Sequence, residues 1–204
     1  MSNYKVYPNV ELGKNITIED YSVIGKPPKR KEPGEIKTVI GDNAVIRSNT
    51  VIYAGNEIGD NFQTGHHVMI REFNNIGNNV SIGTGSCIEH HINLEDDVRI
   101  HSQVFIPEYS KLKQNCWVGP NVVITNAKYP QSTNVKDNLK GAIIEKGAKI
   151  GANVTLLPGV NIGEKSLVGA GSVVTSDVPS SKVAVGNPAQ IIKDITDIEN
   201  YKLG

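Results

Sequence analysis

Across 204 residues, 21 Lys+Arg balance 21 Asp+Glu, so the formal charge is zero and nothing marks the chain for nucleic acid or an anionic membrane surface. The length suits one generous domain, no apolar run is long enough to cross a bilayer, and the opening MSNYKVYPNVELGK lacks the apolar stretch of a secretory signal. Two cysteines, Cys87 and Cys116, stand without a CxxC or Cys/His ligand spacing, and the expectation is a soluble, cytoplasmic protein in a reducing compartment.

In chain order, an aliphatic residue recurs every six positions, first at Val6, Leu12, Ile18 and Ile24. An insertion over 25–39, containing KPPKRKEPGEIK, interrupts the frame, and its prolines and charges read as a surface excursion. The frame resumes at Ile40 and continues through Ile46, Ile52 and Ile58 to Ile124, broken only at Thr64. A second insertion over 125–143, TNAKYPQSTNVKDNLKGAI, is too long for an ordinary corner and is expected to protrude as a functional loop. Ile144, Ile150, Leu156, Ile162, Val168 and Val174 close the frame. The division expected is a solenoid over 1–178 and a capping segment with a tail over 179–204.

A period of six fits neither a 3.6-residue helix nor a hairpin, but it suits a short strand followed by a corner. Gly-Asp-Asn and Gly-Asn-Asn runs at 41–43, 59–61 and 77–79 supply the turn chemistry of those corners. Small or branched residues four positions after the aliphatic, such as Ala44, Val80, Ser86 and Cys116, would fill the space behind each corner. The narrow interior explains an aromatic content of only 5% beside 20 glycines. The fold class read from this pattern is all-β, a parallel β-helix.

Three six-residue units make one triangular coil, so residues eighteen apart should stack about 4.8 Å from each other. His90 then lies between Glu72 and Glu108, with Asn126 one coil further, at the corner from which both insertions leave. A carboxylate on either side would orient the imidazole and raise its basicity, as a general base requires; a solvated or interface histidine is the alternative. His66 and His67 fall at the preceding corner of a lower coil. His101 falls between Gly83 and Gly119, where a ligand could approach closely. Arg71 stacks beside Glu89, as a structural ion pair would.

The chain resembles the bacterial transferase hexapeptide-repeat family, whose members are left-handed β-helices. LVGAGSVVTSDVPSSKVAVGNPAQIIK is similar to the usual end of its CoA-dependent members, and WVGPNVVITNAKYPQS resembles N-acetyltransferases acting on nucleotide-linked amino sugars. SIGTGSCIEHHINLEDDV resembles the sialic-acid and bacillosamine branch, where the histidine of a Glu-His pair is the general base; it falls on His90, followed here by His91 where that branch often has an acid. The resemblance implies acetyl-CoA as acyl donor, a nucleotide-linked amino sugar as acceptor, a homotrimer, and CoA lying along the upper coils near Ala152 and Ala170. Lys182 and Lys193 would meet its phosphates, while Asn126, Lys128 and Tyr129 would meet the acceptor, with His66, His67 and His101 as further contacts. No metal, nucleic acid or membrane partner is expected. O-acetylation of a sugar or serine is the nearest alternative. A γ-class carbonic anhydrase is a minor one, since the His-x4-His zinc pair is missing, and a non-catalytic scaffold is a third.

Overall fold

The computed structural model describes residues 3–201. Among these residues the chain winds as a left-handed parallel β-helix of three faces, with nine, eight and ten strands. The first face runs from Lys5–Val6 to Val173–Val174, the second from Val10–Leu12 to Asn161–Ile162, and the third from Thr17–Ile18 to a C-terminal hairpin. Most strands are two residues long, such as Met69–Ile70, Cys87–Ile88 and Phe105–Ile106, and each pairs in parallel with the strand eighteen residues on. The second residue of each strand is the aliphatic of the six-residue frame, and from Ile24 to Val174 these side chains are buried in one continuous core.

Two departures from the frame have local reasons. Thr64 occupies its inward position with 1% exposure, and its hydroxyl accepts the Arg47 N–H at 2.9 Å, so a polar residue is tolerated because its oxygen is satisfied. Val6 and Leu12 keep the register but are 37% and 38% exposed, because the first coil has a neighbour on one side only. The small residues behind the corners, among them Ala44, Val80, Ser86 and Cys116, are all buried.

Each corner places one residue at positive φ. Between the second and third faces that residue is Asn43, Asn61, Asn79, Asp97 and Asn115 in successive coils. Their side chains form a ladder: the amides of Asn43, Asn61 and Asn79 donate to the next residue up at 3.2, 2.9 and 3.0 Å. The neighbouring Asp60, Asn78 and Asp96 oxygens accept backbone N–H groups of the coil below at 2.7–2.8 Å. Asn and Asp tolerate left-handed backbone and hydrogen-bond locally, so this corner is built from the residues its geometry prefers.

At the top, Val178 bridges to Ile162, Lys182–Gly186 extends the third face beyond Leu167–Val168, and Ala189–Asp194 folds back antiparallel. Val178, Val183 and Ala184 are buried there, so the segment covers the end of the core. A 3-10 turn at Ile195–Asp197 follows, with Ile195 buried. Residues 1 and 2 of the expected solenoid and 202–204 of the expected tail lie outside the described residues.

Candidate functional site at the first corner

The corner between the first and second faces carries both insertions: one leaves after Val23–Lys26 and returns at Thr38–Ile40, and the other joins Val123–Ile124 to Ile143–Ile144. Beneath this corner the backbone is pinned by buried amides. Asn56 and Asn74 each donate to the Arg71 carbonyl at 2.8 Å, and Asn74 Oδ1 accepts the Ile92 N–H at 2.8 Å. The outward side chains therefore project from a rigid base.

Glu72, His90, Glu108 and Asn126 follow one another up this corner, one per coil, as the eighteen-residue spacing predicts. His90 Nε2 lies 3.4 Å from Glu108 Oε1, and the other Glu108 oxygen accepts Asn126 Nδ2 at 2.6 Å. The Asn126 carbonyl accepts the Lys140 N–H at 2.9 Å, so the residue that steadies Glu108 also closes the neck of the long loop. The imidazole and the Glu108 carboxylate are both about a quarter exposed, so they are open to a substrate while partly shielded from bulk water.

The expected symmetry of carboxylates does not form. Both Glu72 oxygens are taken by Arg71, from Nε and Nη2 at 2.9 Å, and Arg71 Nη1 reaches Glu89 at 3.4 Å. Burial pushes the Glu72 carboxyl up, but the Arg71 hydrogen bonds and charge, together with His90, outweigh it and hold the group below its ordinary value. The ion pair read between Arg71 and Glu89 is present, and its stronger arm goes to Glu72. Among the described residues Glu108 alone contacts His90 as an orienting acid, because the bidentate Arg71 guanidinium holds both Glu72 oxygens.

His91 occupies the place left open. Its Nδ1 sits 2.8 Å from His90 Nδ1. A carboxylate only accepts, so Glu108 favours the proton on His90 Nε2; the His90 lone pair is then on Nδ1, and His91 Nδ1–H donates to it. The two rings meet edge to face at 4.9 Å. The basic lone pair at this corner thus belongs to a histidine pair, and the signal for it in the sequence was the doubled histidine itself.

The remaining predicted residues lie elsewhere. Tyr129 is 66% exposed on the long loop, with the Lys128 ammonium 5.6 Å from its ring centre. His66 and His67 are exposed at the corner between the third and first faces, His66 bonded to Ser48 Oγ at 2.8 Å. His101 belongs to that corner too, tilted against Trp117 at 4.6 Å; its buried Nε2 has no hydrogen-bond partner among the described residues. Burial, then Arg99, lowers the His101 pKa and favours the neutral ring. Ala152 and Ala170 also sit there, beside Gly119 and Gly151, where an added Cβ would come within 2.8 and 2.5 Å of the backbone nitrogens of Ala152 and Ala170. Lys182 is paired with Asp194, while Lys193 is exposed. Within one chain, His66, His67, His101, Ala152 and Ala170 occupy a different edge of the prism from His90.

Residues 141–176 match the bacterial transferase hexapeptide (six repeats) family. The chain is 42% identical over 83 residues to a galactoside O-acetyltransferase of Lactococcus lactis, covering 39% of this chain and 40% of that protein. It is 36% identical over 89 residues to a 2,3,4,5-tetrahydropyridine-2,6-dicarboxylate N-acetyltransferase of Staphylococcus aureus, covering 44% and 35%. These alignments span well under half the length of the curated relatives. A UDP-N-acetylglucosamine acyltransferase of Bacteroides fragilis shares the fold over 100% of this chain and 78% of its own, with a TM-score of 0.64 at 17% identity.

Proposed function

We propose that this chain, whose residues 141–176 match the bacterial transferase hexapeptide (six repeats) family, is an acetyl-CoA-dependent N-acyltransferase whose acceptor is the amine of a nucleotide-linked sugar. The observation that carries this reading is the His90–Glu108–Asn126 relay at the corner where both insertions leave. The amine nitrogen attacks the thioester carbonyl, the C–S bond breaks, and the amine proton passes to the histidine pair. The pair then returns it to the departing thiolate and is neutral again. Glu108 stabilises the imidazolium, and a backbone N–H of the coils above meets the oxyanion; such groups contribute roughly 10²–10⁴-fold and 10²–10³-fold to rate.

Acetyl-CoA is assigned to the small-residue corner at Ala152 and Ala170, with Lys193 free for a phosphate and Lys182 less so because Asp194 holds it. Because that corner and His90 occupy different edges, a complete site needs a second copy, and a homotrimer places one at each of three clefts. The kinship with a galactoside O-acetyltransferase supports a second reading, transfer to a sugar hydroxyl by the same base. A metal centre has one observation for it, the ligand atoms of Glu89, His90 and Glu108 within 4.8 Å of one another. That set holds one imidazole, not three, and Arg71 already sits on Glu89.

The test is release of free thiol from acetyl-CoA across a panel of nucleotide-linked amino sugars and matched hydroxyl sugars, with metal content measured on the same sample. Turnover confined to the amines supports the proposal. Turnover confined to hydroxyls establishes the second reading, and stoichiometric zinc with CO₂ hydration overturns both.

A further inference from the structure

The first corner departs from the asparagine ladder of the corner between the second and third faces. Its positive-φ position is held in three successive coils by Phe73 (φ 61°), His91 (57°) and Tyr109 (66°), directly above Gly55 (90°). Asparagine, aspartate, histidine and glycine accept this backbone readily, whereas Phe and Tyr are genuine outliers there. The three rings are stacked, Phe73 to His91 at 5.4 Å and His91 to Tyr109 at 5.9 Å, tilted by 43° and 39°. The Phe73 ring is seated across Gly55, where a Cβ would come within 2.7 Å of it. Yet Phe73 and Tyr109 remain 41% and 45% exposed, so burial does not account for them. One more aromatic, Tyr21, has positive φ at another corner, but in the coil above it that position returns to Asn49.

Backbone strain retained on exposed rings points to a use outside the fold. We propose that Phe73, His91 and Tyr109 form a stacking platform for the acceptor, and that the ring resting on it is the pyranose carrying the reacting group. The inference rests on the acyltransferase reading. The Tyr109 ring centre is 6.3 Å from that of His90. A sugar laid on Tyr109 by its C–H face, at a contact distance of about 4 Å, brings a ring substituent to the imidazole pair. A nucleobase lies beyond a ribose, a diphosphate and the sugar itself, too far from the reacting amine to share this ring. The base is therefore assigned elsewhere, and the platform selects for a pyranose with one apolar face.

The experiment is steady-state kinetics of Tyr109→Asn, Phe73→Asn and Tyr109→Phe with an acceptor that the wild-type protein turns over. Tyr109→Asn is expected to raise the acceptor KM at least tenfold, with kcat within about threefold and the acetyl-CoA KM unchanged. Tyr109→Phe should keep the wild-type KM. An acceptor KM within twofold of wild type in both Asn variants overturns the platform. So does a loss of oligomeric mass by light scattering, which would make the ladder a contact between copies. Absence of wild-type turnover on every acceptor overturns the acyltransferase reading and the platform with it, whereas wild-type turnover with unchanged variants removes the platform alone.

Discussion

Two corners of one prism, built on the same eighteen-residue register, have opposite chemistry. Between the second and third faces, Asn61, Asn79 and Asp97 sit at positive φ and hand hydrogen bonds from coil to coil. Between the first and second faces the equivalent column is Phe73, His91 and Tyr109, flanked by an Arg71–Glu72–Glu89 cluster and by His90 against Glu108. The first arrangement serves the fold, because every side chain answers a need of the turn. The second leaves rings exposed on unfavourable backbone and an imidazole about a quarter open to solvent. In a repeat protein each coil needs only its neighbours, so such a column is tolerated as long as the core beneath it continues.

The comparison can be broken most forcefully at His90. His90→Ala and His90→Asn should lower turnover about 10²–10⁴-fold while acetyl-CoA binding, measured by calorimetry, stays within a few-fold; near-full activity in both would move the base elsewhere. Next come the two equivalent positive-φ positions, for which unequal responses are expected. Asn79→Ala removes two ladder bonds and leaves at φ 57° a residue without the short polar side chain that suits this backbone, so denaturant unfolding should show a loss of about 1–2 kcal/mol with activity unchanged. Phe73→Asn relieves about 1–2 kcal/mol of backbone strain, which offsets the burial lost by a ring already 41% exposed, so its net change in stability should be smaller than that of Asn79→Ala. Equal losses would mean that the two corners do not differ in the way described.

The smallest effect concerns the thiols. Burial, aided by Glu89, pushes Cys87 up to about 11, and burial pushes Cys116 up to about 12. At pH 8 less than about one part in 10² of either is thiolate, so a disulfide reagent should titrate both only after denaturation. Both folded pKa values lie above the unfolded one. Their contribution to stability is therefore complete below the ordinary thiol pKa and is lost as pH rises toward 11 and 12. Tm should fall above pH 9, and Cys116→Ala should flatten that fall.

Much of this was legible in the residues. The six-residue frame predicts the inward side chains from Ile24 to Val174, and folding it into coils brings His90, Glu108 and Asn126 to one corner. The sequence could not show that both Glu72 oxygens go to Arg71 and not to His90. That choice depends on the Arg71 guanidinium reaching both of its oxygens, and a spacing rule carries no side-chain direction. Nor could it show that His91 meets His90 through Nδ1, since neighbours at a corner usually diverge. The same spacing places His66 at the preceding corner, and His101, Ala152 and Ala170 lie on that edge with it.

By itself, then, the sequence determined the period, the core and the column in which each functional side chain stands, because a parallel coil repeats the same geometry every eighteen residues. Only the tertiary structure decided which member of a column bonds to which. Within a stack about 4.8 Å apart, several partners lie in reach, and hydrogen-bond direction and competing charge select among them. At the asparagine corner every candidate partner is equivalent and the outcome is a uniform ladder. At the histidine corner the partners differ, and that selection leaves one imidazole paired, oriented and open.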